Sequence, residues 1–161
     1  MTTNTVTLNA AEIRIVRWIG QQRLAANRAA GFTNLKVGPE SEIDTETLGF
    51  AGELAFAKLF NVYPDFVIGA RVGSADCERF GESIDVKTTK YPNGKLIAQL
   101  RKREFAADVY ALMIVEWPTF RFVGFARGDD LLTPARVADL GHGDVYAIEQ
   151  DELTADQIRW S

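Results

Sequence analysis

Apolar positions along the first thirty residues recur at Ile13, Val16, Ile19 and Leu24, the spacing of one helical face. Asn9 and Glu12 precede them in capping-box spacing and Gly31 closes the run, which predicts a helix over 9–30. The next stretch, "FTNLKVGPESEID", mixes glycine, proline and charge without a period and reads as a loop. "TETLGFAGELAFAKLF" returns to helix. After it, "FVIGARVGSADCE", "SIDVKTT" and "KLIAQL" have strand composition, with Asn93-Gly94 as a hairpin signal, and predict three antiparallel strands. "DVYALMIVEW" reads as a central strand, and Pro118 turns the chain into a return strand, "TFRFVGFA". Thr133-Pro134 starts a short helix, "VYAI" is a last strand, and Thr154 with Gln157 caps a terminal helix. The order predicts a mixed α/β domain with a mixed central sheet flanked by helices.

The second helix departs from the usual amphipathic pattern. "TLGFAGELAFA" is apolar or small on every side, as in a helix buried all round, and Glu53 is its one charge. A buried carboxylate requires a partner. Either Glu53 snorkels to an edge or meets an arginine of the first helix, such as Arg14 or Arg17, or it belongs to a site. Gly49 and Gly52 flank it, and each destabilises a helix by roughly 1 kcal/mol relative to alanine. Their presence implies that something, most simply a sheet, comes close to that face.

In "GESIDVKTTK" an aspartate and a lysine share one face of a half-buried strand. Folding the preceding residues back as a hairpin, with Phe80 and Gly81 at the tip, pairs Arg79 with Glu82 and sets Asp76 opposite Asp85. Opposed residues have Cβ atoms about 4.5 to 5.5 Å apart, so the two carboxylates repel and call for a cation. Asp85→Asn is therefore expected to stabilise the metal-free protein. Asp76 and Asp85 make a hard-oxygen site suited to Mg²⁺ or Mn²⁺, and the adjacent Lys87 ammonium can stabilise charge developing on a phosphate or help position an attacking water. Ile84 and Val86 face the opposite way.

A buried-helix glutamate, an aspartate on the second strand and Asp-Val-Lys on the third resemble the PD-(D/E)XK nuclease superfamily. That resemblance implies a restriction-endonuclease-like core and metal-dependent hydrolysis of DNA phosphodiester bonds. It assigns catalytic roles to Glu53, Asp76, Asp85 and Lys87. Glu53, Asp76, Asp85 and the Val86 carbonyl would hold the metal. "IDVKTTKYPNGKLIAQL" is also similar to small phage-encoded members of the group. The literal Pro-Asp of the family name occurs at Pro64-Asp65, beside the end of the second helix, and Asp76 is preferred to Asp65 because the hairpin faces it toward Asp85. The alternative to a nuclease is a module of the same fold that binds DNA or a protein without cutting.

Charge sharpens this picture locally. The 161-residue chain carries a formal charge of -4, which argues against a broadly basic nucleic-acid coat. Yet Lys87, Lys90, Lys95, Arg101, Lys102 and Arg103 follow one another with no acid between them. Lys90, Lys95, Arg101, Lys102 and Arg103 are candidate phosphate contacts along a DNA-binding ridge. A solvated edge strand protected by lysines is the plainer account of Lys90 and Lys95.

One cysteine, Cys77, and one histidine, His142, leave neither a disulfide framework nor a zinc site. Cys77 reads as a small packing residue, His142 as a loop residue, and Trp18, Trp117 and Trp160 as packing or edge residues. No apolar run has the roughly 18 residues of a membrane span, and the protein is expected in the cytoplasm. The length fits a single domain over 1–161: an N-terminal helix at 9–30, a core at about 45–127 and C-terminal helix and strand elements at 128–161. Helix one leaves room for a homodimer.

Overall fold

The computed structural model describes residues 3–31, 42–69 and 75–157. The first helix, α1 (Ala10–Ala29), begins as its sequence dictates: the Asn9 side chain accepts from the Glu12 amide, and Glu12 accepts in return from the Asn9 amide. α2 (Glu42–Phe60) starts three residues before the expected boundary. Both pack on one face of a five-stranded sheet.

The sheet contains β1 (Thr5–Thr7), β2 (Cys77–Arg79), β3 (Glu82–Thr89), β5 (Val109–Glu116) and β6 (Thr119–Arg127), in the order β1-β6-β5-β3-β2. A second, antiparallel sheet has the order β4-β8-β7, from β4 (Leu96–Gln99), β7 (Val137–Asp139) and β8 (Asp144–Ile148). A single helical turn, α3 (Gly128–Leu131), follows β6. The architecture is mixed α/β. No helix among the described residues is long and apolar enough to cross a membrane.

Each face of the larger sheet has its own core. Ile84, Val86, Ala111, Met113, Phe120, Phe122 and Phe125 meet Phe50, Ala51, Ala55 and Phe56 of α2 on one side. Tyr110, Leu112 and Ala126 meet Leu96, Ala98, Tyr146 and Ile148 of the small sheet on the other. A register shift between Leu112 and Met113 in the β5–β6 pairing changes the parity of β6. It brings Phe125 to the same side as Phe122, their rings 4.7 Å apart.

The three antiparallel strands expected across residues 66–100 do not form. Residues 66–69 lie outside any strand, 70–74 fall outside the described residues, and only Cys77–Arg79 pairs with β3. β3 instead runs parallel to β5, from Ile84 beside Val109 to Thr89 beside Ile114. The near-continuous apolar run of β5 is what a strand covered on both faces requires. Asn93-Gly94 makes a turn, closed by the Gly94 amide on the Tyr91 carbonyl, that carries β4 away to pair with β8. β4 buries Leu96 and Ala98 there, so its apolar face is satisfied in the second core.

β1 escaped notice because three residues carry no measurable period. Thr133-Pro134 opens a 3-10 turn, Pro134–Arg136. Thr154 does not cap a helix: it forms a bridge with Phe125. Buried Gln157 bonds both the side chain and the carbonyl of Arg79, fastening the β2 end of the sheet. Most of the expected terminal helix, with Trp160, and nearly all of the loop predicted at 32–44 lie outside the described residues.

Candidate functional site

The predicted hairpin forms with Phe80 and Gly81 at its tip, at φ 54° and 74°, the left-handed pair that a two-residue turn needs. Arg79 faces Glu82, Glu78 faces Ser83 and Cys77 faces Ile84, and there the ladder stops. Asp76 does not continue it as the direct partner of Asp85. Its amide donates to the Ile84 carbonyl (2.9 Å), and its carboxylate accepts from the Val86 amide (2.7 Å). A side chain thus replaces a backbone partner. From Asp85 onward the outer edge of β3 has no strand beside it among the described residues. The N–H and C=O of one strand residue point to the same side, so the Val86 carbonyl lies on this open edge with its amide.

Helix α2 reaches that edge because Gly52 has no side chain. A Cβ there would lie 1.8 Å from Thr88 Oγ1 on β3. The Gly52 hydrogen in that position points at the hydroxyl oxygen, a weak C–H···O contact for an atom with no conventional partner among the described residues. The close approach inferred from the flanking glycines is real at Gly52, whereas Gly49 has open space before it and lines the cleft. Glu53, the next residue, turns toward the cleft with 14% of its side chain exposed.

Its partner is neither Arg14 nor Arg17, which are exposed. Arg23 fills the role: Nη1 donates to Glu53 (3.0 Å), Nη2 to the Asp65 carbonyl (2.6 Å) and Nε to the Val67 carbonyl (3.3 Å), with the guanidinium over the Phe50 ring. Arg23 lies seven residues after Val16 on the buried stripe of α1, two helical turns along the same face.

These elements enclose an open cleft of about 390 Å³, lined by Gly49 and Glu53 of α2, by Asp76, by Asp85 through Lys90, and by Lys102. Lys87 Nζ lies 2.6 Å from Asp85 Oδ1, and Lys102 Nζ lies 3.0 Å from Oδ2. Burial pushes the Asp85 carboxyl up, but the two lysines outweigh it and hold the group below the ordinary aspartate range. Burial likewise disfavours the Lys87 ammonium, and Asp85 more than restores it. Asp76 goes the other way: burial, then the charges of Glu53 and Asp85, raise its carboxyl well above the usual value despite the Val86 hydrogen bond. Beside it, burial and the Asp76 charge push the Cys77 thiol to about 12.

Among the described residues, Arg23 pairs with Glu53, Lys87 and Lys102 pair with Asp85, and Lys90 and Asp76 also line the cleft. The donors, Glu53, Asp76, Asp85 and the Val86 carbonyl, are hard oxygens of the kind Mg²⁺ or Mn²⁺ prefers. Burial first, and then the nearby charges of Glu53 and Asp85, keep the Asp76 carboxyl raised, and a bound cation would lower it. As the side chains stand, no group of three or more His, Cys, Asp or Glu among the described residues is arranged to hold a metal ion. Lysines occupy both oxygens of Asp85.

The remaining candidates disperse. Lys90 lines the rim, its ammonium 5.7 Å from the centre of the Tyr91 ring. Lys95 pairs with Glu149 (2.8 Å) beside the small sheet. Arg101 and Arg103 are exposed on the 3-10 segment Leu100–Glu104, with Lys102 turned inward between them. Asp65 accepts from the Val67 amide and lines a neighbouring hollow that shares Asp76 with the cleft. His142, Trp18 and Trp117 are exposed.

Sequence reasoning missed Arg23, whose signal was its place on an apolar stripe, and Tyr110, buried on β5 beside Asp85. Residues 2–121, which include every charged group of the cleft, match the model of a family of unknown function (DUF5843), and the chain belongs to that family. No curated protein and no solved structure matches it.

Proposed function

We propose that this protein is a divalent-metal-dependent nuclease that hydrolyses phosphodiester bonds in DNA. The observation that carries this is the convergence of Glu53, Asp76, Asp85, Lys87 and the Val86 edge in one open cleft, although they come from a helix, a loop and a strand. Glu53, Asp76, Asp85 and the Val86 carbonyl would hold Mg²⁺ or Mn²⁺. When bound, the cation would supply charge stabilisation for the phosphate and a more acidic water. The Lys87 ammonium, held on β3, lies where it would stabilise negative charge on the phosphate. Exposed Arg101 and Arg103 would contact the DNA backbone. A cytoplasmic setting accords with a single free cysteine, and a second copy would have the exposed Ile15 and Trp18 of α1 to cover.

The test is incubation with supercoiled, linear and single-stranded DNA in Mg²⁺ or Mn²⁺, alongside Asp85→Ala and Lys87→Ala. Cleavage that needs the metal and disappears in both variants supports the proposal. A Lys87→Ala protein that cuts as fast as the parent in matched metal removes Lys87 from the mechanism. Occupation of both Asp85 oxygens by lysines favours a second reading, a module that binds DNA or a protein partner without cutting. Retarded migration of DNA with no product in either metal would select it.

A further inference from the structure

Two lysines on one aspartate do not stand on equal footing. Lys87 is fixed in β3, whose parallel ladder with β5 sets it beside Leu112, and it makes the shorter contact, 2.6 Å against 3.0 Å. Lys102 arrives from the 3-10 segment Leu100–Glu104, which contributes no buried residue to either core. The segment's one apolar side chain, Leu100, is exposed. Its neighbours Arg101 and Arg103 both face solvent, so the inward turn of Lys102 sets it apart from the basic surface around it.

Charge balance distinguishes them further. Both oxygens of Asp85 already carry an ammonium partner, so a divalent ion beside them would leave a local excess of positive charge. Withdrawal of one ammonium from Asp85 relieves part of that excess and also vacates a carboxylate oxygen. A phosphodiester brings the compensating negative charge.

We infer that Lys102 is a resident counter-ion of Asp85 that yields its place to a divalent cation and then pairs with a phosphate of the bound strand. This rests on the metal-dependent nuclease reading. It gives Lys102 a role different from both the fixed Lys87 and the outer arginines: it compensates Asp85 in the empty cleft and becomes a substrate-binding residue once the cleft is loaded. A rigid ion pair at this position would do only the first.

The experiment is calorimetric titration of the full chain with MnCl₂ in the absence of nucleic acid, comparing wild type, Lys102→Met, Lys102→Arg and Arg101→Met. Circular dichroism verifies folding, and the lack of buried residues in the segment makes all three substitutions mild. Direct competition predicts that Lys102→Met binds Mn²⁺ about tenfold tighter, a difference of about 1.4 kcal/mol. Lys102→Arg should stay near wild type, and Arg101→Met, which removes the same charge one residue away, should change less than twofold. A single-stranded oligonucleotide titrated in Ca²⁺ should then bind Lys102→Met several-fold more weakly.

Unchanged or weaker Mn²⁺ binding by Lys102→Met overturns the exchange while leaving the metal site standing. Equal tightening in Arg101→Met also overturns it, since distant charge alone would then suffice. Unaltered oligonucleotide affinity overturns the phosphate contact. Failure of Mn²⁺ to bind wild type and all three variants removes the metal reading and this inference together.

Discussion

The two halves of β3 make opposite use of the same strand. Glu82 and Ser83 pair with β2, Ile84 has β2 on one side and β5 on the other, and Ile84 is fully buried against α2. Asp85 through Thr89 keep β5 on one side, but β2 has ended on the other. There the strand gathers a carboxylate and two lysines instead of apolar partners. An open edge usually invites pairing with another chain, and inward-pointing charge is one of the devices that prevents it. The same device creates a cleft into which a helix on one face and the 3-10 segment on the other both deliver charged groups. Where a neighbouring strand stops is thus what separates structure from candidate chemistry along these eight residues.

Removing apolar bulk from the paired half should have the largest effect. Ile84→Ala is expected to destabilise by about 4 kcal/mol, read from the urea midpoint, because the side chain is enclosed by both α2 and the sheet. A loss under about 1 kcal/mol would mean that the core does not depend on this half. Next is the contact that holds α2 against the open half. Gly52→Ala should cost about 3 kcal/mol through its clash with Thr88, and Thr88→Ala in the same chain should recover part of that loss. Additive effects in the double mutant would place the helix farther from β3 than the structure has it.

The third test reverses an expectation drawn from the hairpin alone. Two opposed aspartates would make Asp85→Asn stabilising without metal, but Asp85 is the common partner of two lysines and its carboxyl is depressed below the ordinary value. Asp85→Asn is expected to destabilise the metal-free protein by about 2 kcal/mol, less than for a fully buried pair because both ammonium groups keep some contact with water. An increase in melting temperature would restore the repulsion picture.

The smallest effect has the opposite sign and belongs to Asp76. Its carboxyl in the folded protein lies above the unfolded value near 3.8, so its contribution to stability is complete below that pH and is lost as pH rises through the folded pKa. Asp76→Asn, which can still accept the Val86 amide, should therefore gain about 1 kcal/mol at neutral pH without divalent ions, and nothing at pH 3. An equal gain at both pH values would trace the effect to packing rather than charge.

Much of this was legible in the residues. Local signals suffice where the determinant is near in sequence: the capping box at Asn9 and Glu12, the hairpin tip at Phe80-Gly81 and the alternation of β3 are each settled within a few positions. So is the oddity of Glu53 in an apolar helix, which a sequence displays as plainly as a structure does. Pairing between distant segments left no such trace. Only the assembled sheet made β3 parallel to β5, sent β4 to a different sheet and ended β2 one residue short of Asp76. Only the packing of α1 on α2 chose Arg23 over Arg14 and Arg17, and only the return of the 3-10 segment over the second face turned Lys102 from a ridge residue into a partner of Asp85. Sequence fixes which charges are present and which local face they occupy; the pairing of those charges depends on distances of about 3 Å between residues well separated along the chain, and those distances exist only after the two cores have closed.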